Sequence, residues 1–192
     1  MPGAVEIADR PAVGDLLSLG EAEEEIIARL NRVIAQLHTI DYAAIGLADY
    51  GKPGNYFARQ IERWTRQYRS SETETIGAMD HLIAWLPDHI PPDDETTLIH
   101  GDYRPGNVLL HPTEPHLVAV VDWELSTLGH PLVDLAHHAL LYHTGPEDLG
   151  AFGDATPPEG IPDVSTYLAA YCAQTGRSTL PSWGFYLVLA MF

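Results

Sequence analysis

Basic side chains are scarce in this chain of 192 residues: 10 Lys and Arg stand against 27 Asp and Glu, a formal net charge of −17. A surface so short of cations lacks the stripe that would release counterions from a nucleic acid or meet anionic lipid headgroups, which argues against both as main partners. Lysine is scarcer still, since apart from Lys52 every basic residue is arginine. Cysteine is nearly missing. Cys172 alone cannot close an internal disulfide, and within Tyr167-Leu-Ala-Ala-Tyr-Cys172 it reads as a small apolar residue on a helix face, which fits a reducing compartment. The opening Met1-Pro-Gly-Ala-Val-Glu6 lacks the basic patch and apolar run of a secretory signal, and no apolar stretch reaches the ~20 residues a membrane helix needs. The expectation is a cytoplasmic chain without nucleic-acid or membrane partners. Internal repeats and low-complexity segments are absent as well.

What is present suits a packed core: 45% of residues are hydrophobic and 19% charged, and the length fits a single domain over residues 1–192. Ser18-Leu-Gly-Glu21 reads as a capping box, followed by Ile26, Ile27, Leu30, Val33, Ile34 and Leu37 at three- and four-residue steps. A Gly-rich connector, Ile45 to Gly54, leads to a second helical pattern in which Phe57, Ile61, Trp64 and Tyr68 share a face. Arg59, Arg63, Arg66 and Arg69 cluster elsewhere on it, as a solvated face does. A third helical stretch, Ile76, Met79, Leu82, Ile83 and Leu86, stops at Pro87. The first half is thus expected to be all helical.

The middle changes character. Thr96-Thr-Leu-Ile-His100 is short and β-prone, and Asn107-Val-Leu-Leu110 and the β-branched run Leu117 to Asp122 flank the turn residues His111-Pro-Thr-Glu-Pro115, which predicts a β-hairpin. Pro131 opens a helical pattern through Leu132, Leu135, Ala136, Ala139 and Leu140. Another runs from about Val164 to Thr175 with Gly176 as its stop, and the apolar Trp183 to Phe192 ends without a stop signal. The fold class is α+β, mainly helical, with one short hairpin.

Three polar positions carry the chemistry: Asp102 and Asn107 in His100-Gly-Asp-Tyr-Arg-Pro-Gly-Asn107, and Asp122 at the end of an apolar strand. In an antiparallel pair the start of one strand lies beside the end of the other, so Asn107 and Asp122 should approach each other at one edge. Oxygen ligands of this kind suit Mg²⁺, which takes one or two carboxylates and completes its shell with water and substrate phosphates. Asp102, on a Gly/Pro-shaped loop, can reach the same spot as acceptor of a hydroxyl proton. Together these are a minimal set for phosphoryl transfer.

These residues, with Val121-Asp-Trp-Glu124 and Gly129-His-Pro-Leu-Val-Asp134-Leu-Ala136, resemble the aminoglycoside-phosphotransferase-like branch of the protein-kinase superfamily. Gly51-Lys-Pro-Gly-Asn55, Gly54-Asn-Tyr-Phe-Ala-Arg-Gln-Ile61 and Val121 to Gly129 look most like kinase-like domains related to those fused to acyl-CoA dehydrogenases. The resemblance implies a kinase-like C-terminal lobe whose hairpin bears the catalytic loop. It makes Asp102 the catalytic base, Asn107 and Asp122 the magnesium and nucleotide-phosphate ligands, Asp134 a structural partner of the loop, Arg104 a charge-stabilising group and His100 a support. ATP would be co-substrate. The family's N-terminal lobe, with its phosphate-covering loop and strand lysine, has no counterpart here, because Lys52 lies in a connector after the first helix. The expectation is a lobe truncated at both ends, inactive in isolation, whose exposed interface invites self-association. The competing expectation is a non-catalytic kinase-like binding module.

Other features read more plainly. His130, His137, His138 and His143 form no His-Glu-x-x-His pattern and suit hydrogen-bonded helix positions better than a transition-metal site. Asp134 could simply sit solvated in the first turns of its helix. Acidic excess would attract a polycationic aminoglycoside, whereas the nearer resemblance implies a hydroxyl on a small metabolite such as a hydroxyacyl-CoA.

Overall fold

The computed structural model describes residues 22–93, 95–112, 114, 116–145, 157 and 159–192; the capping box at Ser18 to Glu21 and most of the loop after Gly145 lie outside them. Six α-helices carry the described chain: α1 (Ala22–His38), α2 (Tyr56–Ser71), α3 (Gly77–Trp85), α4 (Pro131–Ala139), α5 (Val164–Thr175) and α6 (Trp183–Met191). Four short strands interrupt them between α3 and α4: β1 (Thr97–Ile99), β2 (Val108–Leu110), β3 (Leu117–Val120) and β4 (Thr127–Gly129). The expected order of a helical first half, a β-rich middle and a helical end is what is found. α5 has the expected bounds, with Asp163 accepting the Thr166 N–H at 2.7 Å as N-cap and Gly176 left-handed at φ 71° as C-cap.

The apolar stripe of α1 explains its place. Ile26, Leu30 and Ile34 are buried and meet Tyr167 and Tyr171 of α5, while Leu132 and Leu135 of α4 join Phe185, Tyr186 and Leu189 of α6 in the same core. Each such side chain contributes about 1.5–3 kcal/mol by leaving water. Phe57 and Ile61 of α2 also enter this core. The outer face of α2 is solvated at Arg66, paired to Glu62 at 3.1 Å, and at Arg69, paired to Glu72 at 3.1 Å and Asp80 at 2.5 Å, whereas Arg59 is half-buried and donates to the Gly54 and Lys52 carbonyls.

The predicted hairpin is β2 against β3, antiparallel, with Val108 opposite Val120 and an irregularity between Leu109 and Leu110. Two details differ from expectation. Asn107 ends a 3₁₀ turn (Pro105–Asn107) instead of opening the strand, and β3 stops at Val120, two residues before Asp122. Pro105 has no N–H to give a ladder, and Asp122 is left-handed, so both strands end where the backbone leaves extended geometry. The ladder still runs one rung further, since Val121 N–H donates to the Asn107 carbonyl at 2.9 Å. A second two-stranded ribbon, β1 against β4 with Leu98 opposite Leu128, was not expected. Leu98 and Leu128 pack with Leu37 of α1 in a small apolar cluster of their own.

Candidate active site

The loop between β1 and β2 is fixed before any ligand is considered. Asp134, 1% exposed on α4, accepts the His100 N–H at 2.6 Å on Oδ2 and the Gly101 N–H at 2.7 Å on Oδ1, so the solvated reading fails. Its Oδ2 also lies 3.4 Å from His38 Nε2, and His38 Nδ1 meets the Tyr171 hydroxyl at 2.7 Å. Burial pushes the Asp134 carboxyl up, but the His38 contact and the two N–H donors outweigh it and hold the group below the usual carboxylate range. Gly101 is required: its φ is +86°, and a Cβ there would stand 2.5 Å from the Leu125 carbonyl oxygen. Tyr103, fully buried, donates from its hydroxyl to Leu30 O at 2.9 Å and so ties the loop to α1.

On this frame the sequence-selected residues gather. His100 accepts the Asp102 N–H on Nδ1 at 3.2 Å, and its Nε2 stands 3.0 Å from Val121 O. One neutral tautomer, protonated at Nε2, serves both contacts and links the loop to the end of β3. Asp102 keeps a 21% exposed side chain. Asn107 Nδ2 donates to its Oδ2 at 2.7 Å and to its carbonyl at 2.9 Å, and Arg104 Nε lies 3.2 Å from the carboxylate. The Asn107 amide is thereby oriented. Its nitrogen is committed to Asp102, while its buried Oδ1 has no hydrogen-bond partner among the described residues, a costly state for a buried acceptor unless something else binds it.

Asp122 lies one residue beyond the rung that joins Val121 to Asn107. It is exposed, left-handed at φ 68° and ψ 51°, and its carboxylate makes no hydrogen bond or ion pair among the described residues. The hairpin therefore delivers Asn107 and Asp122 to one edge, each with side-chain oxygen that has no partner among the described residues.

Beside Asp102 opens a cavity of about 380 Å³ bounded by Tyr56, Arg63, Trp64, His137 and Phe192 among others, in which Asp102 is the one acidic side chain among the described residues. His137 Nε2 stands 3.4 Å from Asp102 Oδ1. Burial lowers the His137 pKa, against the pull of Asp102, so the ring favours its neutral form. Sequence reasoning missed this neighbour, as it missed His38 and Tyr103. For Tyr103 the adjacency to Asp102 was the available signal; for His38 there was none. His138 is bonded to the Tyr167 hydroxyl at 2.5 Å, in keeping with the plainer histidine reading.

Comparison with known proteins places this arrangement. The pattern of the phosphotransferase enzyme family matches residues 14–183. Mouse acyl-CoA dehydrogenase family member 10 is 41% identical over 172 residues, which is 88% of this chain and 16% of that protein. Human acyl-CoA dehydrogenase family member 11 is 41% identical over 163 residues, 83% of this chain and 21% of its own length. A solved Ralstonia eutropha protein described as a candidate aminoglycoside phosphotransferase superposes with a TM-score of 0.83 at 52% identity, covering 88% of this chain and 53% of that one. An aminoglycoside-3′-phosphotransferase of type VIII shares the fold, with a TM-score of 0.66 at 21% identity over 90% of this chain and 62% of its own. The chain thus spans a small part of the curated relatives and about half of the Ralstonia protein. Loop, hairpin and supporting helix all fall inside the matched span, and the chain belongs to the phosphotransferase enzyme family, whose chemistry is phosphoryl transfer to small molecules.

Proposed function

We propose that residues 1–192 form one domain, the C-terminal lobe of an ATP- and magnesium-dependent kinase that phosphorylates a hydroxyl of a small metabolite. The observation that carries the reading is the divided Asn107 amide: nitrogen to Asp102, buried oxygen without a partner among the described residues. Asn107 Oδ1 and the Asp122 carboxylate are hard oxygen donors suited to Mg²⁺. When bound, Mg²⁺ neutralises charge on the nucleotide phosphates. The remaining work falls to side chains. Asp102, aimed by Asn107 and open to the cavity, accepts the proton of the acceptor hydroxyl. Arg104, 49% exposed, steadies charge on the transferred group; His100 and Asp134 hold the loop in place.

The cavity favours one acceptor class. Among the described residues, mostly aromatic and aliphatic walls with Gln60, His137, one guanidinium from Arg63 and no acidic side chain besides Asp102 suit an apolar hydroxylated chain bearing an anionic group. A polycationic aminoglycoside would require several carboxylates. The relatives named for acyl-CoA dehydrogenases agree with this, and a hydroxyacyl-CoA is the proposed acceptor. The test is calorimetric titration with Mg-ATP of this chain and of a longer parent, each beside its Asp122→Ala variant. Binding that the variant loses is expected. Binding that survives in the variant would remove the metal assignment, and no binding by chain or parent would favour a non-catalytic module.

A further inference from the structure

Away from this site, at the far end of the same hairpin, lies a second group of potential ligands. The turn joining β2 to β3 is pinned by the His111 N–H, which donates to His116 O at 2.9 Å, and by the His116 N–H, which donates to Glu114 O at 2.8 Å. This brings His111 and His116 side by side, their rings stacked at 4.5 Å between centroids and 21° apart. Glu114 Oε2 stands 3.3 Å from His116 Nδ1, and one ligand atom from each of the three residues lies within 4.8 Å of the others. Ligands on tetrahedral zinc, at ~2.0–2.1 Å from the ion, are roughly 3.4 Å apart. Small rotations of partly exposed side chains close that difference.

We propose that His111, Glu114 and His116 form a site for a borderline transition cation of the zinc class. Two imidazoles and a carboxylate are the ligand types that select such an ion over magnesium, and three protein ligands leave a fourth position for water. The acidic surface, net −17, concentrates cations around it. The other group with suitable geometry among the described residues, Asp93, Glu95 and His130, is a poorer host. There the Glu95 carboxylate is engaged by Arg177, and the His130 ring is buried against the Tyr186 hydroxyl at 3.3 Å. Cation binding at the turn would clamp the two strands whose other ends present Asn107 and Val121.

The test is titration of the tag-free chain with ZnCl₂ in a non-chelating buffer by calorimetry, and with Co²⁺ followed by its visible absorption. One equivalent should bind, with the intense visible bands of tetrahedral cobalt. Each of His111→Gln and His116→Gln should weaken binding by at least roughly tenfold, whereas Glu95→Gln should leave it unchanged. Both histidine side chains are partly exposed, and matching thermal melts verify that the variants fold. Absence of binding, or binding unaltered in both histidine variants, overturns the assignment; loss in Glu95→Gln alone moves the site to the other group.

Discussion

Two aspartates flank the β4 ribbon and live in opposite surroundings. Asp134 is buried, and its two oxygens receive two backbone N–H groups with a histidine beside them. Asp122 is exposed on a left-handed backbone, and its carboxylate has no partner among the described residues. The oxygens of the first are committed to the protein; those of the second are open to a ligand. A buried, fully bonded carboxylate is a device for holding a loop, whereas an open carboxylate on an uncommon backbone is what a binding site requires. Asn107 combines both habits in one amide, with its nitrogen bonded and its oxygen without a partner among the described residues.

The contrast breaks most readily at Asp134. Asp134→Ala strands the N–H groups of His100 and Gly101 and removes the anion beside His38, and should cost about 3–5 kcal/mol in urea unfolding. A loss below about 1 kcal/mol would show that the loop stands without its carboxylate. Next in size is Gly101→Ala, whose methyl meets the Leu125 carbonyl while the residue keeps φ +86°. The left-handed backbone costs about 1–2 kcal/mol and overpacking adds about 1–3. Unchanged stability there would mean that β1 and the turn after β3 can separate freely.

How much of this was legible follows the range of the interactions. That Asp102, Asn107 and Asp122 come to one edge was readable because their spacing is local, with five positions from Asp102 to Asn107 and a hairpin whose turn residues announce themselves. The helices were readable from their stripes and stops, down to Gly176 as the end of α5. The β1 and β4 ribbon was not. Three residues are too few to show alternation, and the pairing of Leu98 with Leu128 is decided by the apolar contact with Leu37. His38 likewise reaches Asp134 across 96 positions, and no local pattern signals such a partner. Asn107 was misplaced by one element because the Pro105 turn overrides the β-propensity that follows it.

Acid should expose the same contrast through a neighbour of Asp134. Burial, foremost, and the adjacent His137 push the His138 pKa down to about 3. The unfolded chain therefore binds this proton first, below about 6.5, and stability is full above that pH and falls as pH drops toward 3. Asp134, also held low, adds its own loss only below the unfolded carboxylate pKa of about 3.9. His138 alone contributes a slope of up to about 1.4 kcal/mol per pH unit. The proton uptake on unfolding between pH 6 and 4.5 should fall by up to one in His138→Gln, even if that variant is less stable throughout. An identical slope in the variant would place the acid sensitivity elsewhere, with the also-lowered His130 and His137 next to be tested.

The smallest effect on stability is expected at Asp122, and its smallness sharpens the comparison. Asp122→Gly removes a side chain that touches no described partner and relieves a left-handed backbone, so unfolding should shift by no more than about 1 kcal/mol, in the stabilising direction. Asp122→Asn keeps the volume and the local turn preference but loses the charge, and should match the wild-type melt. If Asp122 is the metal ligand proposed above, both should nonetheless weaken Mg-ATP binding, because they would remove a ligand and not a support. If either unfolds the protein as Asp134→Ala does, Asp122 belongs to the scaffold and the open edge of the hairpin is not a metal edge. If both leave stability and Mg-ATP affinity unchanged, the left-handed conformation at Asp122 answers only to the turn that feeds Trp123 against the His100 ring, 4.7 Å away.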